Sequence, residues 1–125
     1  MLPKLLPCSA LLMLYIQTVS AHTGMAATLP DHDAVLAEAP SQLVFQFMTN
    51  VTITNIRLEI NAGERSGEQL QIRLPRNSIG QSAAYGATIT LDLPQLDPAA
   101  YLVTWQAISQ DGHIIVDDFN FTVSN

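Results

Sequence analysis

Sulfur and positive charge are both scarce in this chain. Of 125 residues one is cysteine, Cys8, and the sole lysine is Lys4. Four arginines, Arg57, Arg65, Arg73 and Arg76, complete the basic set, against eleven acidic residues. Without a basic footprint, a nucleic acid or other polyanion is an unsuitable partner. An acidic surface instead favours the approach of cations. No apolar run reaches the roughly 20 residues of a membrane-spanning helix. No stretch carries a convincing amphipathic-helix pattern, and there is neither an internal repeat nor a low-complexity tract.

The beginning of the chain has a different character from the rest. MLPK is short and basic, Leu5 to Ile16 is dominated by apolar residues, and Val19-Ser20-Ala21 places small residues at the cleavage-determining positions. This three-part pattern predicts a secretory signal peptide over residues 1–21, cut after Ala21. The mature domain is then 22–125, with no cysteine, no lysine and a net charge of −7 from four arginines and eleven carboxylates. Export would permit disulfides, but none can form.

What remains is written in period two. Leu43, Phe45 and Phe47 alternate with Val44, Gln46 and Met48. Leu70, Ile72 and Leu74 alternate with Gln71 and Arg73, and Ile89, Leu91 and Leu93 with Thr90 and Asp92. Tyr101, Val103 and Trp105 share one face, as do Phe119, Phe121 and Val123. Such alternation predicts half-buried strands. Between Ile53 and Ile56 the phase changes, which predicts a bulge or break at Thr54-Asn55. Turn clusters at Pro30 to Asp33, Asn61 to Gly63, Pro75 to Asn77 and Pro94 to Pro98 separate the runs. The sum is an all-β domain of about seven short antiparallel strands, a Greek-key barrel or sandwich of the immunoglobulin-like or cupredoxin-like kind. In LDPAAY, Tyr101 stands where a tyrosine corner would place it.

One short stretch carries chemistry. SQDGH, Ser109 to His113, reads as a hairpin turn through its Asp-Gly pair, yet Asp111 and His113 also bring a carboxylate and an imidazole close together. If extended, residues i and i+2 point the same way. Cleavage after Ala21 would make His22 the first residue, offering its α-amine and Nδ1 to a single metal. Amine and imidazole titrate near neutrality, so a metal can displace their protons. Together with Asp111 and His113 this gives three nitrogens and one oxygen. A tetragonal set of that kind suits Cu(II), although zinc accepts similar ligands tetrahedrally. A blue-copper centre is excluded, since it requires a cysteine thiolate. His32 is expected in an exposed turn at the far end of the first strand. Thioethers suit Cu(I), but Met25 and Met48 lie on strand-like segments and are expected to serve as packing.

These elements, in this order, resemble the CopC-type periplasmic copper resistance proteins. The match runs from His22 through PDHDAVLAEAP (Pro30 to Pro40), LVFQF, LDPAAYLVTW, SQDGH and FNFTV. The resemblance implies a seven-stranded Greek-key barrel that binds Cu(II) in the bacterial periplasm through His22, Asp111 and His113. It also implies an inner-membrane copper transport protein as partner. The sequence departs from the family in several places. The mid-chain region NAGERSGEQLQI has no methionine where some members carry a Met-rich Cu(I) loop. Thr49 replaces a glutamate ligand of some members, and Ile114 follows D-G-H where proline is common. Asp117-Asp118 replaces a glycine before the final F-x-F, and Thr23 stands where an alanine usually follows the first histidine. The expected function is a Cu(II) carrier or buffer rather than an enzyme. The alternatives are a metal-free sandwich acting as an interaction module and, less well supported, a copper-dependent oxidase, whose open metal position Asp111 would tend to fill.

Overall fold

The computed structural model describes residues 25–76 and 79–125. The expected signal peptide, 1–21, and His22 lie outside the described residues. Among the described residues every regular element is a strand: β1 (Met25–Leu29), β2 (Ala34–Leu36), β3 (Gln42–Ile60), β4 (Gln69–Leu70), β5 (Ala84–Asp92), β6 (Ala99–Ser109) and β7 (Ile114–Val123). Along the sheet the order is β1-β3-β6-β7-β2, with β4 and β5 paired to β3. Neighbours in space are thus seldom neighbours in sequence, as in a Greek key rather than a meander.

β3 organises the molecule because it is 19 residues long and changes partners along its length. Its first half lies between β1, from Met25 opposite Phe47 to Leu29 opposite Val44, and β5. Its second half lies against β6, from Val51 opposite Ser109 to Ile60 opposite Tyr101. β5 stays on one flank throughout, pairing with 42–46 and again with 51–53. β1 and β6 therefore share the other flank, end to end. Only Met48, Thr49 and Asn50 separate their paired positions.

The expected phase change is real. The β3–β6 register slips between Ile53 and Asn55, so Thr54 is the extra residue, and its hydroxyl donates to the Gln106 carbonyl at 3.4 Å. The slip turns Leu58 and Ile60 inward after Val51 and Ile53 have already faced the core. Without it the second set would point to solvent. The core gathers Phe45, Phe47, Trp105 and Phe119, with Phe45 and Trp105 meeting edge to face at 5.7 Å. Tyr101 and Phe121 stack at 5.4 Å. The Tyr101 hydroxyl donates to the Asp97 carbonyl at 2.5 Å, the tyrosine corner the sequence suggested.

Two expectations need correction. The sheet is mixed rather than wholly antiparallel: β2 runs parallel to β7, with Ala34 opposite Phe121 and Leu36 opposite Val123. The segment around Leu70, Ile72 and Leu74 is paired only at Gln69 and Leu70, opposite Glu59 and Leu58. Its three apolar side chains still pack on the core. Alternation records which face is buried, and does not require that the backbone find a ladder partner.

Candidate metal site in the β6–β7 hairpin

β6 and β7 pair continuously until Ile108 opposite Ile114, and the five residues between them form the hairpin loop. Ser109 ties that loop together. Its backbone N–H donates to the His113 carbonyl at 2.9 Å, and its carbonyl accepts from the Gly112 N–H at 3.0 Å. Its hydroxyl accepts from the His113 N–H at 3.1 Å and donates to Asp111 Oδ1. Gly112 takes φ +86°, a left-handed conformation that glycine adopts without strain.

Asp111 and His113 are consequently turn residues, not extended ones, and the expectation of a shared strand face does not describe how they meet. The turn brings them together instead. Asp111 Oδ2 lies 2.7 Å from His113 Nδ1, with both side chains largely exposed, 64% and 81%. The Ser109 hydroxyl, and then the His113 side chain and backbone N–H, hold the Asp111 carboxyl below the ordinary aspartate value. Each stabilises the charged form by donating to it or by placing positive charge beside it.

The loop faces an open cleft of about 420 Å³, whose lining includes Met48, Thr49, Ser109, Asp111, His113 and Ile115. Met48 and Thr49 come from the three-residue gap in β3 between the ends of β1 and β6. Met48 is not packing material, contrary to expectation: it is 76% exposed. Phe47 beside it turns into the core, so the pleat sends Met48 outward.

His32 is held elsewhere. Its Nδ1 accepts from the Asn120 N–H at 3.2 Å, and its Nε2 lies 3.4 Å from Asp33 Oδ2. Asn120 is six residues along β7 from Ile114, about 20 Å of strand away from the hairpin. His32 is exposed and in a turn, as expected. Among the described residues no group of three or more His, Cys, Asp or Glu side chains could hold a metal ion. What these residues provide is the Asp111–His113 pair; His22 lies outside them. A larger open cleft, about 570 Å³, lies beside Thr54 to Ile56 and presents Arg73 and Arg76 without a carboxylate or imidazole. That lining is unsuited to a cation.

Reading the sequence alone missed the part played by Ser109, although a Ser two residues before an Asp in a turn is a local signal for such a bond. Nothing in the sequence signalled that Met48 would line the same cleft, because the contact spans about sixty residues of chain and depends on the β3–β6 register.

Comparison with known proteins agrees with this architecture. A curated relative, copper resistance protein C from Escherichia coli, is 24% identical over 104 residues, covering 82% of each chain. Among solved structures, CopC from Methylosinus trichosporium OB3b superposes with a TM-score of 0.60 at 21% identity, covering 82% of this chain and 94% of that one. PcoC, a methionine-rich copper resistance protein from Escherichia coli, gives 0.63 at 19% identity, covering 83% of this chain and all of the other. The CopC domain family matches residues 25–124, nearly the whole of the strand-forming chain, and the protein therefore belongs to that family.

Proposed function

We propose that the protein binds Cu(II) in the periplasm as a carrier or buffer in copper resistance, with His22, Asp111 and His113 as ligands. The observation that carries this reading is the end-to-end arrangement of β1 and β6 on one flank of β3. The N-terminal end of β1, at Met25, lies opposite Phe47, and the hairpin begins at Ser109, opposite Val51. Three residues of extended chain reach about 10 Å, and His22 precedes Met25 by three. The first residue of a chain cut after Ala21 is thus within reach of the cleft that holds Asp111 and His113.

The donors suit the ion. A carboxylate oxygen and an imidazole nitrogen stand 2.7 Å apart, and adjacent ligands at right angles, each about 2.0 Å from a metal, stand about 2.8 Å apart. A divalent cation entering between them would replace that contact and displace whatever proton the imidazole nitrogen carries. With the amine and imidazole of His22 the set becomes three nitrogens and one oxygen, which favours Cu(II) through the divalent affinity order. Four such ligands hold an ion without requiring a reaction. The family relatives include proteins named for copper resistance. Delivery to an inner-membrane copper transport protein is part of this reading.

Cu(II) titration followed by EPR tests it, comparing protein processed by the cell with a form carrying one extra residue before His22. The expected result is a one-to-one tetragonal signal, nitrogen-rich, and weakened in the extended form. Equal binding by both forms would remove the amine from the site. No binding by either would leave the metal-free interaction module as the better account of the fold.

A further inference from the structure

We infer that the same cleft takes a second kind of cation, soft and monovalent, with the Met48 thioether and the His113 imidazole as its ligands. Cu(I) and Ag(I) are the chemical class. This rests on the reading of His113 as a metal ligand and adds to it a donor that the Cu(II) set does not use.

Exposure is the first observation. Met48 is 76% exposed on a strand whose neighbouring Phe47 is buried, so its thioether is open to solvent rather than spent on packing. Placement is the second. Met48 lines one cleft with His113 and Asp111, from the unpaired gap between the ends of β1 and β6. Donor chemistry then sorts the cations. A thioether binds soft Cu(I) or Ag(I) well and adds little for a divalent ion, whereas a carboxylate does the reverse and imidazole serves both. The cleft presents all three. Asp111 and His113 face a divalent ion, and Met48 and His113 a monovalent one. Because His113 belongs to both sets, the two cations compete, and the cleft holds one at a time. The mid-chain segment Asn61 to Ile72 contains no methionine that could bind a soft ion independently.

Ag(I) titration of the exported protein tests this, with loss of Cys8 verified by mass and the methionine methyl groups followed by NMR. Ag(I) is the probe because it has Cu(I)-like ligand preferences and needs no reductant. The expected result is one-to-one binding, a shifted Met48 methyl resonance, and Ag(I) affinity weakened at least about tenfold in Met48→Leu. Cu(II) affinity in that variant should stay within about twofold of the parent, since a thioether is not among the divalent ligands. An unmoved Met48 methyl at saturating Ag(I) would overturn the inference, as would unchanged Ag(I) affinity in Met48→Leu. Simultaneous binding of one Ag(I) and one Cu(II) would overturn the shared role of His113. Failure of the parent protein to bind Cu(II) would count against the proposed function instead, and the Ag(I) arm would still report on Met48 directly.

Discussion

Ser109 favours the charged form of a carboxylate in the proposed metal site without having to touch an ion. Its hydroxyl donates to Asp111 Oδ1 and is the largest influence lowering that carboxyl's affinity for protons. A carboxylate depressed in the folded state adds stability above its unfolded value, about 3.9 for aspartate. That contribution disappears as pH falls through the folded value. Ser109→Ala should therefore raise the Asp111 titration midpoint, read by carbon NMR of its carboxyl group. It should also move acid release of Cu(II) to higher pH, because the competing proton binds more tightly. His113→Ala should weaken Cu(II) binding by orders of magnitude while leaving the melting temperature nearly unchanged, since the imidazole is exposed; unchanged affinity in an EPR titration would remove it from the site. At this scale the closeness of Asp111 and His113 was legible because they are two residues apart, and local spacing limits how far they can separate. Ser109 was half legible, and Met48 was not, because its place depends on a strand pairing between distant segments.

The hairpin and the bulge show what an element can enforce. Gly112 has open space around the position a Cβ would occupy, but its φ is +86°. Gly112→Ala should cost about 1–2 kcal/mol through backbone strain alone, seen as a lowered denaturation midpoint with an unaltered slope. Thr54 tests the opposite case. Deleting it would leave Val51, Ile53, Leu58 and Ile60 alternating in one phase, so the last two keep their buried face and only the bulge is lost. The loss should stay below about 3 kcal/mol, the ordinary range for a single change, and circular dichroism should still show a cooperative transition. The bulge was readable from the sequence because two runs of alternating apolar residues disagree in phase across Thr54-Asn55. The parallel β2–β7 pair was not, since Ala34 to Leu36 is too short to carry a pattern and parallel pairing leaves no local trace. The unpaired stretch after Leu70 was misread for a related reason: its side chains face the core while most of its backbone has no strand partner.

For the molecule as a whole, the tyrosine corner ties stability to alkaline pH. Burial is the main cause raising the Tyr101 hydroxyl above its ordinary value, with the Asp97 charge adding to it. A raised group contributes stability that is fully present below its unfolded value, about 10, and lost as pH rises through the folded one. Tyr101→Phe should lose about 1 kcal/mol at neutral pH with the hydrogen bond to Asp97. Its stability should then fall less steeply above pH about 10, which thermal melts across that range would show.

The length of β3 has a kinetic side. One strand is the partner of β1, β4, β5 and β6, so no part of the sheet that contains them can close while β3 is still open. These pairings join residues far apart in the chain, and such topologies fold in about milliseconds to seconds rather than microseconds. The slowest amide protons of β1 and of β6 should therefore exchange with deuterium at a common rate set by global unfolding, although the two strands never pair with each other. On the proposed route of export such delay is an asset, because the chain crosses the membrane before β3 gathers its partners.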